Sequence, residues 1–294
     1  LSTYPTGSWR WNVLKPLSYS EEATPGTLVS AASSWIGVVQ DYDMGQSSDD
    51  TPIPQSASVA MREILPGTKT YDISLTWIPS NSTFAKYGVN VPVGTGTIAK
   101  TFSLVGQTTV SSTAEYLAAV YCVPKKFSMK WTQGKPLTFK MDIAAKSKAA
   151  TGLFSTVDPI GTGTWATDPA TASWGFATGG LLPFAWGAAN PNAIDFNCDV
   201  DWGTKSLSGG GDVEPWANQY TQQTVTGSVS CYWEDLTYLT DFHAQNGQDL
   251  VWDLSSGSAL TLTGAHLNKA GHDIPIGNAV IEKYNFLAET AALT

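Results

Sequence analysis

Lys126-Phe127-Ser128-Met129-Lys130-Trp131-Thr132, then Gln133-Gly134-Lys135-Pro136, then Leu137-Thr138-Phe139-Lys140-Met141-Asp142-Ile143 is the stretch that decides the fold class. Apolar and polar residues alternate strictly on both sides of a Gly-Pro turn signal, so each arm buries one face and wets the other as a β-strand does. The same period of two runs through Ser58 to Ile64, Thr70 to Trp77 and Ile194 to Trp202. Further strands are expected at 35–39, 101–105, 225–233, 249–254, 259–267 and 279–287, with Ser255-Ser256-Gly257-Ser258 as another turn. Two short segments read as helical, 80–87 and 235–245. In the second, Asp235 is placed to cap, and Leu236, Leu239 and Phe242 share a face. Both halves therefore repeat one order: an alternating strand ending in Trp (Trp77; Trp233), a short helix, a Gly/Asn break and a hairpin. This order reads as a diverged internal duplication.

The chain has 294 residues, enough for one large domain or two smaller ones, and no run of 18 apolar residues that would suggest a membrane-spanning helix. Its first residues lack the basic start and apolar stretch of an uncleaved export signal. Charged residues make up 14% of the chain, against about 25% in ordinary globular proteins, and Ser, Thr, Gly and Asn fill the polar positions. The net charge of −9 argues against binding nucleic acid by phosphate neutralisation. That charge is unevenly spread: residues 1–150 hold 13 Lys/Arg and 10 Asp/Glu, and residues 151–294 hold 3 and 15, so +3 and −12 sum to −9. Lys125, Lys126, Lys130, Lys135, Lys140, Lys146 and Lys148 are seven of the 13 positive charges in residues 1–150. The run reads either as a solvated strand face or as one side of a head-to-tail contact between copies, with Lys125, Lys126, Lys130, Lys135 and Lys140 facing acids such as Asp195, Asp199 and Asp201.

Catalytic chemistry leaves no pattern. Cys122, Cys198 and Cys231 are odd in number and widely spaced, so free buried thiols are expected rather than a zinc site or a disulfide framework. His243, His266 and His272 lack metal-ligand spacing, and Asp199-Val200-Asp201-Trp202-Gly203 resembles a calcium loop only until its twelfth position, which is Gly210 rather than Glu. There is no GxSxG elbow, Cys-His signature or phosphate loop. A pair of carboxylates for glycoside hydrolysis stays open, since such residues need not be close in sequence. No enzyme, cofactor or metal is expected. The segment 149–192 is rich in Gly and Pro yet holds Trp165, Trp174 and Trp186, so it is expected to pack, either on its own domain or as an arm on a neighbour.

The run Gln223 to Phe242 (QTVTGSVSCYWEDLTYLTDF), followed by a hairpin and the strand Asn278 to Phe286, resembles the tail tube proteins of long-tailed bacteriophages and related archaeal viruses. Trp77-Ile78-Pro79 before a short helix, and Tyr121 to Lys146, resemble the hairpin region of the same proteins, so the likeness covers roughly 35–147 and 194–288. It implies a mainly β fold of two tandem tail-tube-like sandwich or barrel units, each with a short flanking α-helix: an N-terminal unit 1–148, a connecting segment or arm 149–192 and a C-terminal unit 193–294. It further implies a virion structural protein, assembled in the host cytoplasm, whose stacked rings form the tail tube. Two fused units would favour a homotrimeric ring with pseudo-sixfold symmetry. Implied partners are further copies of the chain and the tape measure, terminator and baseplate proteins, with viral DNA passing through unbound and no membrane. An acidic wall suits that passage, because a sliding polyanion should not be held. A secreted carbohydrate-binding or surface β-protein is the alternative, on the Ser/Thr/Gly/Trp richness and the sequon Asn81-Ser82-Thr83.

Overall fold

The computed structural model describes residues 15–28, 34–54, 61–65, 67–79, 81–90, 101–110, 113–147, 152–160, 184–187, 192–208, 214–215, 217–232, 237–255, 258–273 and 280–294. The chain is mainly β. Its first part holds β1 (Lys15–Glu21), β2 (Ser34–Trp35), β3 (Gly37–Ser48), β4 (Thr51–Pro54), β5 (Met61–Leu65), β6 (Lys69–Pro79), helix α1 (Ala85–Val89), β7 (Phe102–Val110), β8 (Thr113–Thr132), β9 (Thr138–Ser147) and β10 (Phe154–Ser155). The second holds β11 (Phe184–Trp186), β12 (Ala193–Asp201), β13 (Lys205–Leu207), β14 (Ala217–Gln219), β15 (Thr224–Tyr232), helix α2 (Thr237–Ala244), β16 (Gln248–Ser255), β17 (Ser258–Asp273), β18 (Ile281–Ala288) and β19 (Thr290–Leu293).

The described strands overlap the expected ones, while residues 58–60, 233 and 279 of the expected strands lie outside the described residues; the Gln133–Pro136 turn joins β8 to β9 with Gly134 at φ 76°, a left-handed position that suits glycine. Asp235, the expected cap of α2, lies outside the described residues, as do Trp165 and Trp174. Within 149–192, Phe184 and Trp186 pair with β16 and are buried in the core. The Trp186 indole donates to Asp241 on α2 at 3.0 Å.

Pairing follows one order twice. In the first part β3 pairs β6, β6 pairs β9 and β9 pairs β8; in the second β12 pairs β15, β15 pairs β18 and β18 pairs β17, all antiparallel. Even the irregularities match, since β3 bulges between Val39 and Asp41 and β12 between Ala193 and Asp195. A single ladder joins the two runs: β8 pairs β12 over seven residue pairs, from Lys126↔Asp201 to Thr132↔Asp195. The result is one eight-strand path, β3-β6-β9-β8-β12-β15-β18-β17, which stays open, with no closed barrel among the described residues.

One face of this path is dry. Tyr71, Ile73, Leu75 and Trp77 of β6, Phe139, Met141 and Ile143 of β9, Phe127, Met129 and Trp131 of β8, and Phe196, Cys198 and Val200 of β12 are buried in a single core. Trp77 packs with Phe84, Phe127 and Phe139 at ring separations of 5.3–6.3 Å, and Trp131 of the first part meets Trp252 of the second at 5.6 Å. Five residues are too few for α1 to stand alone. Gly88 lets it lie flat on the sheet, where an added Cβ would come within 2.8–2.9 Å of Phe127 and Met141. The carbonyls left open at its end are answered from the second part: the Trp202 indole donates to Gly88 O (2.7 Å) and the Gln223 amide to Val89 O (2.9 Å). Asn90, next in sequence, exchanges two hydrogen bonds with the Leu293 backbone.

Long strands must bend to stay on a core, and β8 bends at Tyr121, which sits at φ 53° beside a register shift between Val120 and Val123. Upstream of the bend one edge of β8 carries β7, and downstream the same edge carries β12. A buried carboxylate fixes the corner. Glu22 accepts from the backbone of Tyr121 (2.8 Å) and Gly26 (2.7 Å) and from the hydroxyls of Ser103 (2.7 Å) and Thr101 (2.6 Å). Glu22→Gln replaces an acceptor with an NH2 facing donors, so urea unfolding is expected to show a loss of about 2–4 kcal/mol, and no loss would refute the role given to this carboxylate. The cysteines are free and buried, and burial pushes the thiols of Cys122 and Cys198 up. Alkylation of native protein followed by mass spectrometry is therefore expected to leave all three unmodified until the chain is unfolded.

Candidate functional site

The opposite face of the eight-strand path is wet, and the residues singled out by charge lie on it. Period two puts Asp72 and Ser74 of β6, Lys140 and Asp142 of β9, Lys126, Ser128 and Lys130 of β8, and Asp195, Asn197, Asp199 and Asp201 of β12 on the side away from the core. Asp41 and Asp43 of β3 extend the face at one end, and Ser228, Ser230, Lys283 and Asn285 of β15 and β18 extend it at the other. Short hydroxyl and amide side chains dominate, with carboxylates and ammonium groups spaced among them.

Cross-strand register sets the pairing. The Ser128 hydroxyl donates to Asp199 directly opposite, and the Lys126 ammonium lies 3.5 Å from the same carboxylate. Lys125 reaches Asp72 at 3.1 Å and Lys140 reaches Asp142 at 3.8 Å, while Ser74 donates to Asp142 at 2.6 Å. Asp195 accepts from Ser230 at 3.1 Å, and Asp201 accepts from the Gly203 backbone at 2.8 Å. Lys130 stands exposed opposite Asn197, and Lys135 is exposed in the β8–β9 turn. Basic run and acidic strand thus meet inside one chain at Lys126 and Asp199. With side chains 33–55% exposed in these pairs, water screens them, and each is worth at most about 1 kcal/mol.

Beside the β8–β12 ladder lies a shallow depression of about 390 Å3 lined by Asp43, Asp72, Asp142, Asp201, Lys125 and Lys126 among others. Its carboxylates sit in the open beside lysines, and Asp72 and Asp142 already hold the partners named above. Asp199 and Asp201 lie in an extended strand, not a cation-binding loop, and among the described residues no group of three or more His, Cys, Asp or Glu is arranged to hold a metal ion. His243 lies on α2, and His266 and His272 lie on β17. The six tryptophans whose side chains are described, Trp35, Trp77, Trp131, Trp186, Trp202 and Trp252, are all buried and present no sugar-stacking platform. No helix among the described residues is long and apolar enough to cross a membrane.

Local patterning placed these residues on one face, but it did not show that β8 and β12 are neighbours. The complementary charge of Lys126-x-Ser128-x-Lys130 and Asp195-x-Asn197-x-Asp199-x-Asp201, both at period two, was the available signal. Sequence reasoning also missed Glu22, whose four partners come from three separate stretches of chain.

No curated protein matches the chain at a significant level. The family model described as phage tail tube protein matches residues 15–288, nearly the whole chain and both runs of the eight-strand path. On that match, the chain belongs to the phage tail tube protein family, a family of structural components of the virion tail.

Proposed function

We propose that this chain assembles into rings that stack as the hollow tail tube through which the viral genome is delivered, with the wet face of the eight-strand path turned toward the lumen. The observation that carries the reading is that face itself: a broad antiparallel sheet, dry on one side and evenly polar on the other. Seven of its side chains are carboxylates, Asp41, Asp43, Asp72, Asp142, Asp195, Asp199 and Asp201. Such a wall holds no concentrated basic patch, so a duplex could move along it without being trapped. Lys125, Lys126 and Lys140 lie beside acids, which leaves few cations on the face to grip phosphate.

The repeated pairing order supports two tandem tube-like units per chain, in line with the proposed units 1–148 and 193–294 joined by 149–192. Three copies would then present six such units in pseudo-sixfold arrangement. Subunit contacts use charges with no ion pair among the described residues: Lys130 on the face and Lys135 at the exposed turn, set against the acidic second half of a neighbour. The tube would be built in the host cytoplasm, with tape measure, terminator and baseplate proteins as its partners in the tail.

Negative-stain microscopy with light scattering on the purified chain tests this reading. Rings or tubes of uniform bore are expected, with stacking weakened at high salt because exposed charge pairs are screened. A monodisperse 31.3 kDa monomer at every concentration and salt would overturn it.

A further inference from the structure

We infer that Asn246-Gly247, in the turn between α2 and β16, is a site of covalent self-modification: the Asn246 side-chain amide becomes a carboxylate through a cyclic imide, with the His266 imidazole as the base. The inference concerns the chemistry of this turn and does not depend on the ring reading above.

The way α2 ends shapes the turn. Gln245 is left-handed, at φ 52°, and its backbone donates to Phe242 O (3.3 Å), while the Asn246 backbone donates to Asp241 O (3.2 Å). These two bonds make a Schellman cap, in which a left-handed residue turns the chain out of the helix. They fix the Asn246 backbone and leave its side chain alone. Asn246 and Gly247 are both exposed, and among the described residues neither the Asn246 carboxamide nor the Gly247 N–H has a hydrogen-bond partner. Several other asparagine side chains are held: Asn81 accepts from Thr83, Asn90 exchanges bonds with Leu293, Asn197 accepts from Ser228 and Asn218 accepts from Ser206.

A base lies against the same turn. Gln248 pairs with Ala265, so Gly247 faces His266 one step before β16 begins. A Cβ built on Gly247 would meet His266 Nε2 at 2.7 Å and Cε1 at 3.0 Å, which places the ring directly on the glycine. The chain has one Asn-Gly pair, and it stands here. With no side chain on Gly247 to obstruct the approach, its nitrogen can close on Asn246 Cγ as the imidazole takes the N–H proton. A bond forms between Gly247 N and Asn246 Cγ, and the bond from Cγ to Nδ2 breaks, with Nδ2 leaving as ammonia on the proton that the imidazole returns. Water then opens the cyclic imide. Opening at Cγ gives aspartate, and opening at the main-chain carbonyl gives isoaspartate, whose backbone runs through Cγ. Water is consumed, ammonia is released, and nothing is oxidised or reduced. Either product puts a carboxylate between Asp241 and Asp249 in sequence and adds a negative charge to the net −9. In a structural protein that is not remade after assembly, this conversion accumulates with the age of the particle.

Timed incubation of the purified full chain at neutral pH, followed by peptide mapping with mass spectrometry, tests the site. The peptide containing Asn246 is expected to split into the starting amide and two products heavier by the exchange of NH2 for OH. Chromatography separates these as aspartate and isoaspartate, and electron-transfer fragmentation tells them apart. Asn246→Gln is expected to abolish both. A synthetic peptide of residues 241–251 gives the rate of the same pair without the fold, and the folded chain is expected to convert faster. Asn246 that stays intact in the folded chain while the peptide converts overturns the site, because the turn then protects the pair. A folded chain that converts no faster than the peptide overturns the part given to the imidazole. His266→Gln is expected to slow the folded chain by at least about tenfold and to leave the peptide rate as its floor. An unchanged rate in that variant likewise overturns His266 as the base.

Discussion

Seven opposed residue pairs between β8 and β12 hold the architecture together. Backbone groups along a strand edge must find partners, and here those of the first run find them in the second, 63 or more positions further along the chain. Once that ladder forms, Phe127, Met129 and Trp131 stand beside Val200, Cys198 and Phe196, so the two aromatic clusters become one core. The same ladder carries Ser128 and Lys126 to Asp199 on the other face. Dry and wet consequences of a single register cannot be separated, because shifting it by one residue would exchange the two faces.

Where a sheet of this breadth turns, something must replace the lost rungs. At the β8 corner Glu22 does so, with two donors on each carboxylate oxygen, two of them backbone amides. β17 turns at Gly264, where φ is 60° and no side chain adds strain. The two corners solve one geometric problem with different means, a buried acid in one and a glycine in the other. The pairing order is the same on both sides of this difference.

Much of this could be read from residue order. Alternation located many of the strands, because each buries one face. Other stretches were silent for physical reasons. Gln40 to Ser48 of β3 has few apolar inward residues, since an edge strand covers little core. Leu117 to Val123 is continuously apolar, because β8 near its corner is buried on both faces, and so it shows no period at all. The charge run was visible, but whether its partners lie within the chain or on a neighbour depends on which strands are adjacent, and local patterning carries no information about that. Lys126 and Asp199 settled inside the chain, while Lys130 and Lys135 remain in solvent.

The capping of α1 bears on how the chain folds. Its terminal carbonyls are answered by Trp202 and Gln223, and Asn90 is tied to Leu293, a separation of 203 residues. Contacts of such range must wait until residues through Leu293 have left the ribosome, and closing so large a loop comes late in folding. Until then the first half lacks the groups that complete its helix, and β8 has no β12 to cover its edge. Synthesis from the N-terminus therefore leaves an adhesive, unfinished first half until the segment around Leu293 has emerged, which places its greatest exposure to misassembly in that interval.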